Sequence, residues 1–183
     1  MKRVYLLRHA APDFPDGQRR CLGRTGTPLG DVGMAQAEAM AARLPPVAAV
    51  FSSPLTRAVQ TARKIDGSIT TMTGLRELDY GQWDGLTFAE IRRRFPELYA
   101  QREHDKSLMP PGSEPPEQAL ARFLGAMAEA ARISPGDFAV VAHGGVIELF
   151  SQAITGRRYK PRYCEILSLI WENERFTQSE ERL

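Results

Sequence analysis

The sequence predicts an α/β domain, and two observations carry that prediction. Short β-branched or apolar runs alternate with longer stretches of helical periodicity. The residues able to do chemistry stand just after the apolar runs, where the loops of an open α/β sheet gather. The first predicted strand covers residues 4–7. A helix follows over 29–44, with Val32, Ala37, Met40 and Leu44 spaced as one buried stripe and Pro45-Pro46 ending it. Residues 47–51 form a second strand, 55–65 a second helix and 69–72 a third strand. The stretch 81–116 is less regular, with a short helix at 88–95 and a proline-rich run at 109–116, and it is longer than a plain connection needs. It is read as a lid or an insertion. A long helix covers 116–133, with Leu120, Phe123, Leu124 and Met127 on one face. Then come a continuous apolar strand at 138–142, a helix from about 146 to 154 and a last strand at 166–171.

Composition narrows the classes of function. With 183 residues the chain is about one domain long, and it is read as one over 1–183. A net charge of +2 gives no bulk basic field for nucleic acid. No apolar run approaches the ~20 residues that span a bilayer, and the apolar run at 4–7 is too short for a signal-peptide core. Cys21 and Cys164 make neither a disulfide framework nor a zinc cluster, so a reducing cytoplasm is the expected setting. Of the 24 basic residues, 20 are arginine. Genome composition accounts for such a bias, and so does phosphate recognition by a fixed, forked charge.

The chemistry-bearing residues converge on one sheet edge. Arg8 and His9 follow the first strand, and Arg57 opens the helix after the second. Arg76 and Glu77 lie beyond the third, and His143-Gly144-Gly145 follow the strand at 138–142. Arginines and helix N-termini form a receptacle for a compact anion, phosphate above all. A neutral imidazole can attack phosphorus and carry the phosphoryl group, dividing one hard transfer into two easier ones. Neighbouring guanidinium charges favour that neutral form and stabilise the oxygens of the transition state. A carboxylic acid can protonate the leaving alkoxide. Glu77 is the natural candidate, since a nearby phosphate dianion holds its proton on, although Asp79 or Glu90 could serve instead. The scheme needs no metal and no cofactor.

The motifs resemble a known family. Leu7-Arg8-His9-Ala10, then Gly23, Pro28-Leu29, Gly33 and Gln36-Ala37, then Ser53-Pro54-Leu55-Thr56-Arg57-Ala58, then Leu75-Arg76-Glu77 with Gly81-Gln82-Trp83-Asp84-Gly85, and last Val141-Ala142-His143-Gly144-Gly145 fall in the order of the histidine phosphatase superfamily, the phosphoglycerate-mutase-like proteins. The resemblance implies a three-layer α/β/α fold with a mostly parallel central sheet. It implies His9 as the phosphorylated nucleophile and Glu77 as the proton donor. Arg8, Arg57 and His143 then grip the phosphoryl group, with the backbone of Gly23 and Gly144 close to it. Arg20-Cys21-Leu22-Gly23 with Pro28-Leu29 is similar to the small α-ribazole phosphatases, whose scaffold broad-specificity small-molecule phosphatases share.

The implied substrate is a small phosphomonoester, with neither nucleic acid nor membrane as partner. The alternatives are a mutase-type phosphoryl transfer and, from a different class, an inactive module that binds a phosphorylated ligand. An esterase fits poorly without a Gly-x-Ser-x-Gly elbow. The chain departs from the family's pattern at three points. Its only asparagine is Asn173, so the asparagine that many members carry about six residues after the first histidine is missing. Gly26 and Glu148 stand where members often have aspartate and arginine. His104 reads as solvated, the Arg92-Arg93-Arg94 run as a solvated helix face or else part of a lid that attracts an anionic substrate, and Trp83 as packing rather than substrate stacking.

Overall fold

A four-stranded parallel core, flanked by two antiparallel strands, organises the molecule. The structure is a computed structural model and describes residues 1–179. The predicted domain 1–183 thus includes four residues, 180–183, that lie outside the described ones. The strands are β1 (Lys2–Arg8), β2 (Ala49–Ser52), β3 (Thr70–Thr71), β4 (Phe138–Ala142), β5 (Ile166–Glu172) and β6 (Arg175–Gln178). Their order in the sheet is β3-β2-β4-β1-β5-β6. The pairs β3/β2, β2/β4 and β4/β1 are parallel, and β1/β5 and β5/β6 are antiparallel. The helices are α1 (Asp31–Ala41), α2 (Thr56–Ala62), α3 (Phe88–Arg94), α4 (Pro96–His104), α5 (Pro116–Ile133) and α6 (Gly144–Thr155).

Alternation along the strands builds the three layers, because successive side chains point to opposite faces. Val4, Leu6, Phe138, Val140 and Ala142 face α5 and α6, where they meet Phe123, Met127, Ile147 and Phe150. Tyr5, Leu7, Ala139 and Val141 face the other way, onto Met40 of α1 and Ala58 and Ala62 of α2. The expected α/β/α architecture with a mostly parallel sheet is what the chain forms.

Several elements differ from the sequence expectation. In α1 the stripe of Val32, Ala37, Met40 and Leu44 is incomplete: Val32 is 69% exposed, and Gly33 takes the buried position beside Ala37 and Met40. A Cβ at Gly33 would stand 2.0 Å from the Ala11 carbonyl oxygen, so this turn of α1 approaches backbone too closely for any other residue. β3 has only two residues.

Two elements escape the pattern altogether. α4 starts with Pro96 at its first turn and buries no residue, so it has no apolar stripe to reveal it. β6 is largely exposed and is joined to β5 by Asn173-Glu174, both at positive φ (50° and 60°), a tight hairpin. Within 81–116, α3 matches the predicted short helix. A capping box holds its start, in which the Thr87 hydroxyl accepts from the Glu90 N–H and the Glu90 carboxylate accepts from the Thr87 N–H.

Register decides where the chemistry lands. Arg8 pairs with Ala142, so the chains leave β1 and β4 side by side and His9 emerges next to His143. Ser52 pairs with Val141, which brings Ser53 to the same point, and α2 begins four residues later with Arg57 in its first turn.

Candidate active site

His9, Arg57, Glu77 and His143 meet at the carboxyl edge of the parallel strands. All four are charged or polar, and all are buried: Arg57 and His143 have no exposed surface, while His9 is 4% and Glu77 6% exposed. Residues of this kind are buried only with partners, and those partners define the site.

The tautomer of His9 is set by its surroundings. Its Nδ1 lies 2.7 Å from the carbonyl oxygen of Ala10, and a carbonyl only accepts, so Nδ1 carries the hydrogen. The lone pair is then on Nε2, where it accepts from the Arg57 Nε–H at 3.2 Å. Burial first, then the charges of Arg57 and Arg8, push His9 well below the ordinary histidine range, although its bond to Ala10 pulls the other way. The ring is neutral at pH 7. His143 lies beside it, with ring centroids 5.0 Å apart. Its Nε2 shares a hydrogen with Ser53 Oγ at 2.7 Å, while its Nδ1 is buried without a protein partner. Burial again comes first in lowering His143, followed by His9, Arg57 and Arg8.

Arg57 is held on three sides. Besides the bond to His9, its Nη1 donates to the Thr25 carbonyl at 2.6 Å and its Nη2 to the Gly23 carbonyl at 2.8 Å. The loop 23–25 is held in turn by Asp84, whose carboxylate accepts the N–H groups of Gly23, Arg24 and Thr25 at 2.7–3.0 Å. The Gly23 amide therefore points at Asp84, and Gly23 serves as the narrow point of the loop. A Cβ there would be 2.7 Å from the Leu78 carbonyl oxygen.

Glu77 sits on the N-terminus of α6. One carboxylate oxygen accepts from the N–H groups of Leu78 (2.9 Å) and Val146 (3.0 Å), and the other from Gly145 (2.9 Å). Oε2, with one N–H partner, keeps a lone pair on which a proton can sit. A Cβ at Gly145 would stand 2.7 Å from Glu77 Oε1 and 2.8 Å from the Tyr80 hydroxyl, so a side chain here would displace the Glu77 carboxylate or the Tyr80 ring. Arg122 of α5 fixes the backbone that carries Glu77 by donating to the carbonyls of Gly74, Arg76 and Glu77 and to the Glu114 carboxylate. Arg76 itself turns away and bonds the Thr73 carbonyl.

A cavity of about 720 Å³ opens over this cluster, with His9, Arg8 and Glu77 on its wall and Arg57 and His143 behind it. Its outer wall includes Trp83, Phe88 and Tyr99 from the 81–116 stretch. Trp83 packs between Phe95 and Tyr99, as expected, with Arg102 over its ring. Asp79 pairs with Arg24, and Glu90 is used in the α3 cap, so Glu77 alone of the three candidate acids reaches the cavity wall. Cys21 also lines the cavity, but burial, with Asp84 and Glu77, pushes its thiol up to about 12, so it stays protonated. His104 and Arg92 to Arg94 are exposed. Among the described residues, no group of three or more His, Cys, Asp or Glu side chains is placed to hold a metal ion. No helix among them is long and apolar enough to cross a membrane.

Sequence reasoning missed the loop between α6 and β5. Tyr163 brings its ring to 5.7 Å from His9 and 4.0 Å below the Arg8 guanidinium. It lies before the last strand, outside every motif, and only the antiparallel return of β5 along β1 carries it to the site.

The fold and this edge define an α/β protein with two neutral imidazoles and an arginine guanidinium buried together at the carboxyl end of its parallel strands. The chain belongs to the histidine phosphatase superfamily (branch 1), which it matches over residues 4–180. It is 42% identical over 127 residues to a bifunctional protein of Mycobacterium tuberculosis. That stretch is 66% of this chain and 35% of the relative, so the chain spans about a third of the length of such relatives. It is 33% identical over 170 residues to a glucosyl-3-phosphoglycerate phosphatase of the same species, covering 84% of this chain and 75% of that protein. The solved structure of the mycobacterial glucosyl-3-phosphoglycerate phosphatase with VO3 matches at a TM-score of 0.83 over 98% of both chains, with 28% identity. A putative alpha-ribazole-5'-P phosphatase from Escherichia coli shares the fold, with a TM-score of 0.84 over 100% of this chain and 96% of that one, at 21% identity.

Proposed function

We propose that this protein hydrolyses small phosphomonoesters through a phosphohistidine formed on His9. The observation that carries the reading is the tautomer of His9, with Nδ1–H committed to the Ala10 carbonyl and a lone pair on Nε2 beside the Arg57 guanidinium. In the first step that lone pair attacks phosphorus and forms an N–P bond. The bond from phosphorus to the ester oxygen breaks, and the departing alkoxide takes a proton from Glu77. In the second step water attacks the phosphohistidine, gives its proton back to the Glu77 carboxylate, and the N–P electron pair returns to Nε2. Arg8, Arg57 and His143 stabilise the charge on the transferring oxygens. Gly144, at the head of α6, places its backbone next to Arg8.

A cavity of about 720 Å³ is far larger than a phosphate ion and leaves room for a sizeable leaving group. α-Ribazole 5'-phosphate fits this description, and so does the glycosylated phosphoglycerate named for the Mycobacterium tuberculosis relative. Rapid quenching during turnover should yield acid-labile, base-stable phosphate on the peptide containing His9. Label on another residue, or none under conditions of steady turnover, counts against the scheme. A panel of phosphorylated metabolites including α-ribazole 5'-phosphate, together with an assay for bisphosphoglycerate-dependent exchange, separates hydrolysis from mutase-type transfer.

For Glu77→Gln, hydrolysis of alkyl phosphates should fall by about 10²–10⁴-fold, as expected for loss of a general acid. Activated aryl phosphates, whose leaving groups need less protonation, should lose far less. Equal losses on both substrate types would remove Glu77 from the role of acid.

A further inference from the structure

The loop between α6 and β5 is wrapped around Arg8 by three separate contacts. The Pro161 carbonyl accepts from Arg8 Nη1 at 3.0 Å, the Tyr163 ring lies 4.0 Å from the guanidinium carbon, and the Cys164 N–H donates to the Arg8 carbonyl at 3.1 Å. Pro161 is buried although its neighbours on both sides are exposed, so this point of the loop is anchored. Lys160 is the residue just before that anchor. A single point, the position a Cβ would occupy on Gly144, lies 3.1 Å from Lys160 Cε and 3.2 Å from both Cζ and Nε of Arg8. The end of the lysine side chain therefore lies alongside the arginine that ends β1, over the first residue of α6.

Three further observations concern what this juxtaposition is for. Lys160 lines the same cavity as His9 and Arg8. Its positive charge reaches the Cys21 thiol on the cavity wall, where with Arg102 it opposes the effect of burial. Among the described residues it has neither a hydrogen bond nor an ion pair with another protein group, although Glu103 and Glu148 line the same cavity. Next to it, the donor Arg8 Nε is buried without a partner. Buried donors are rarely left without partners. Two like charges held side by side repel unless an anion sits between them.

We propose that Lys160 is a further phosphate-binding residue, its ammonium donating to an oxygen of the phosphoryl group that Arg8 also holds. This rests on the reading of the site as a phosphomonoesterase, and it names a ligand group from outside the motif blocks. The ammonium acts as a point charge on a flexible stem, and the wrapped loop limits where that stem begins.

The test measures binding of inorganic phosphate by titration calorimetry at low ionic strength, in the absence of turnover, for the parent and for Lys160→Ala, Lys160→Met and Lys160→Arg. Lys64→Ala, which removes the same charge from a lysine paired with Glu38, controls for net charge. Phosphate affinity should fall about tenfold in the alanine and methionine variants. It should return to within about threefold of the parent in the arginine variant and stay unchanged in Lys64→Ala. KM for a small aryl phosphate should rise with the phosphate dissociation constant, with kcat changing much less.

Unchanged phosphate affinity, including the case in which even the parent binds none, overturns the proposal. So does a loss confined to bulky esters, which would put Lys160 on the leaving group, and so does equal damage in the alanine and arginine variants. These results are separable from the chemistry at His9. A labelled His9 with lysine-independent phosphate binding removes Lys160 and leaves the phosphohistidine, and the opposite pair of results does the reverse.

Discussion

His9→Ala is expected to lose phosphate-ester hydrolysis by about 10⁴-fold or more, since removing a covalent nucleophile leaves only binding and electrostatic stabilisation. The variant should fold, because the ring's hydrogen-bond donor serves its own neighbour, Ala10, and Arg57, which loses its bond to His9 Nε2, keeps the carbonyls of Thr25 and Gly23. Turnover close to the parent's in a folded variant would end the phosphohistidine scheme. The same residue shapes two pH profiles. Burial and the charges of Arg57 and Arg8 hold the folded pKa well below the ordinary histidine value of about 6.5. The acid limb of kcat/KM, which reports the free enzyme, should therefore lie below that value.

Stability changes in the same direction. Below about 6.5 the unfolded chain binds a proton that folded His9 refuses, so the unfolded state carries more protons and stability rises with pH. The contribution is complete above about 6.5 and is lost as pH falls toward the folded value. Melting curves between pH 8 and pH 5 should show a shallower decline for His9→Ala than for the parent. His143, lowered chiefly by burial, supplies a second slope of the same sign that persists in the variant.

Arg57→Met should have the second largest effect, and it should strike activity and stability together. The guanidinium is fully buried and bonds His9 Nε2 and the carbonyls of Thr25 and Gly23. Loss of one preorganised donor at a developing charge costs about 10²–10³-fold in turnover. The two carbonyls lose their partner, at about 1–3 kcal/mol each when buried, less where water can replace it near the more exposed Thr25. A fall in Tm of roughly 4–10 °C follows for a chain of this size. Arg57→Lys should rescue little, because an ammonium cannot span three acceptors arranged around a planar fork. A variant with the parent's Tm but reduced turnover would show that the 23–25 loop does not depend on Arg57. Reduced Tm with full turnover would take Arg57 out of the chemistry.

Much of this site can be read from residues in order, for a physical reason. Parallel strands deliver their carboxyl ends to one edge, so Arg8-His9, Arg57 and His143-Gly144-Gly145 are placed by the local pattern of a strand followed by a loop or helix. The periodicity of α5 and the continuous apolar run of β4 were equally plain, since both elements are packed against the sheet and carry the spacing that burial demands. Val32 failed that logic because Gly33, with no side chain, is what meets the neighbouring backbone. α4 and β6 left no periodic trace because neither buries a regular apolar face.

Residue order alone reveals the alternation of strands and helices, the sheet edge that carries the chemistry, and which imidazoles, guanidinium groups and carboxylate gather there. How those groups are held emerges once the chain is folded. Folding assigned the Nε2 lone pair of His9, set Asp84 on three successive amides, seated Glu77 on the start of α6, and brought Tyr163 and Lys160 to Arg8. Strands and helices are dictated by neighbours a few residues apart. Hydrogen-bond partners here lie 90 residues apart, as between His143 and Ser53, or 153, as between Arg8 and Pro161, and are chosen only when the sheet register closes.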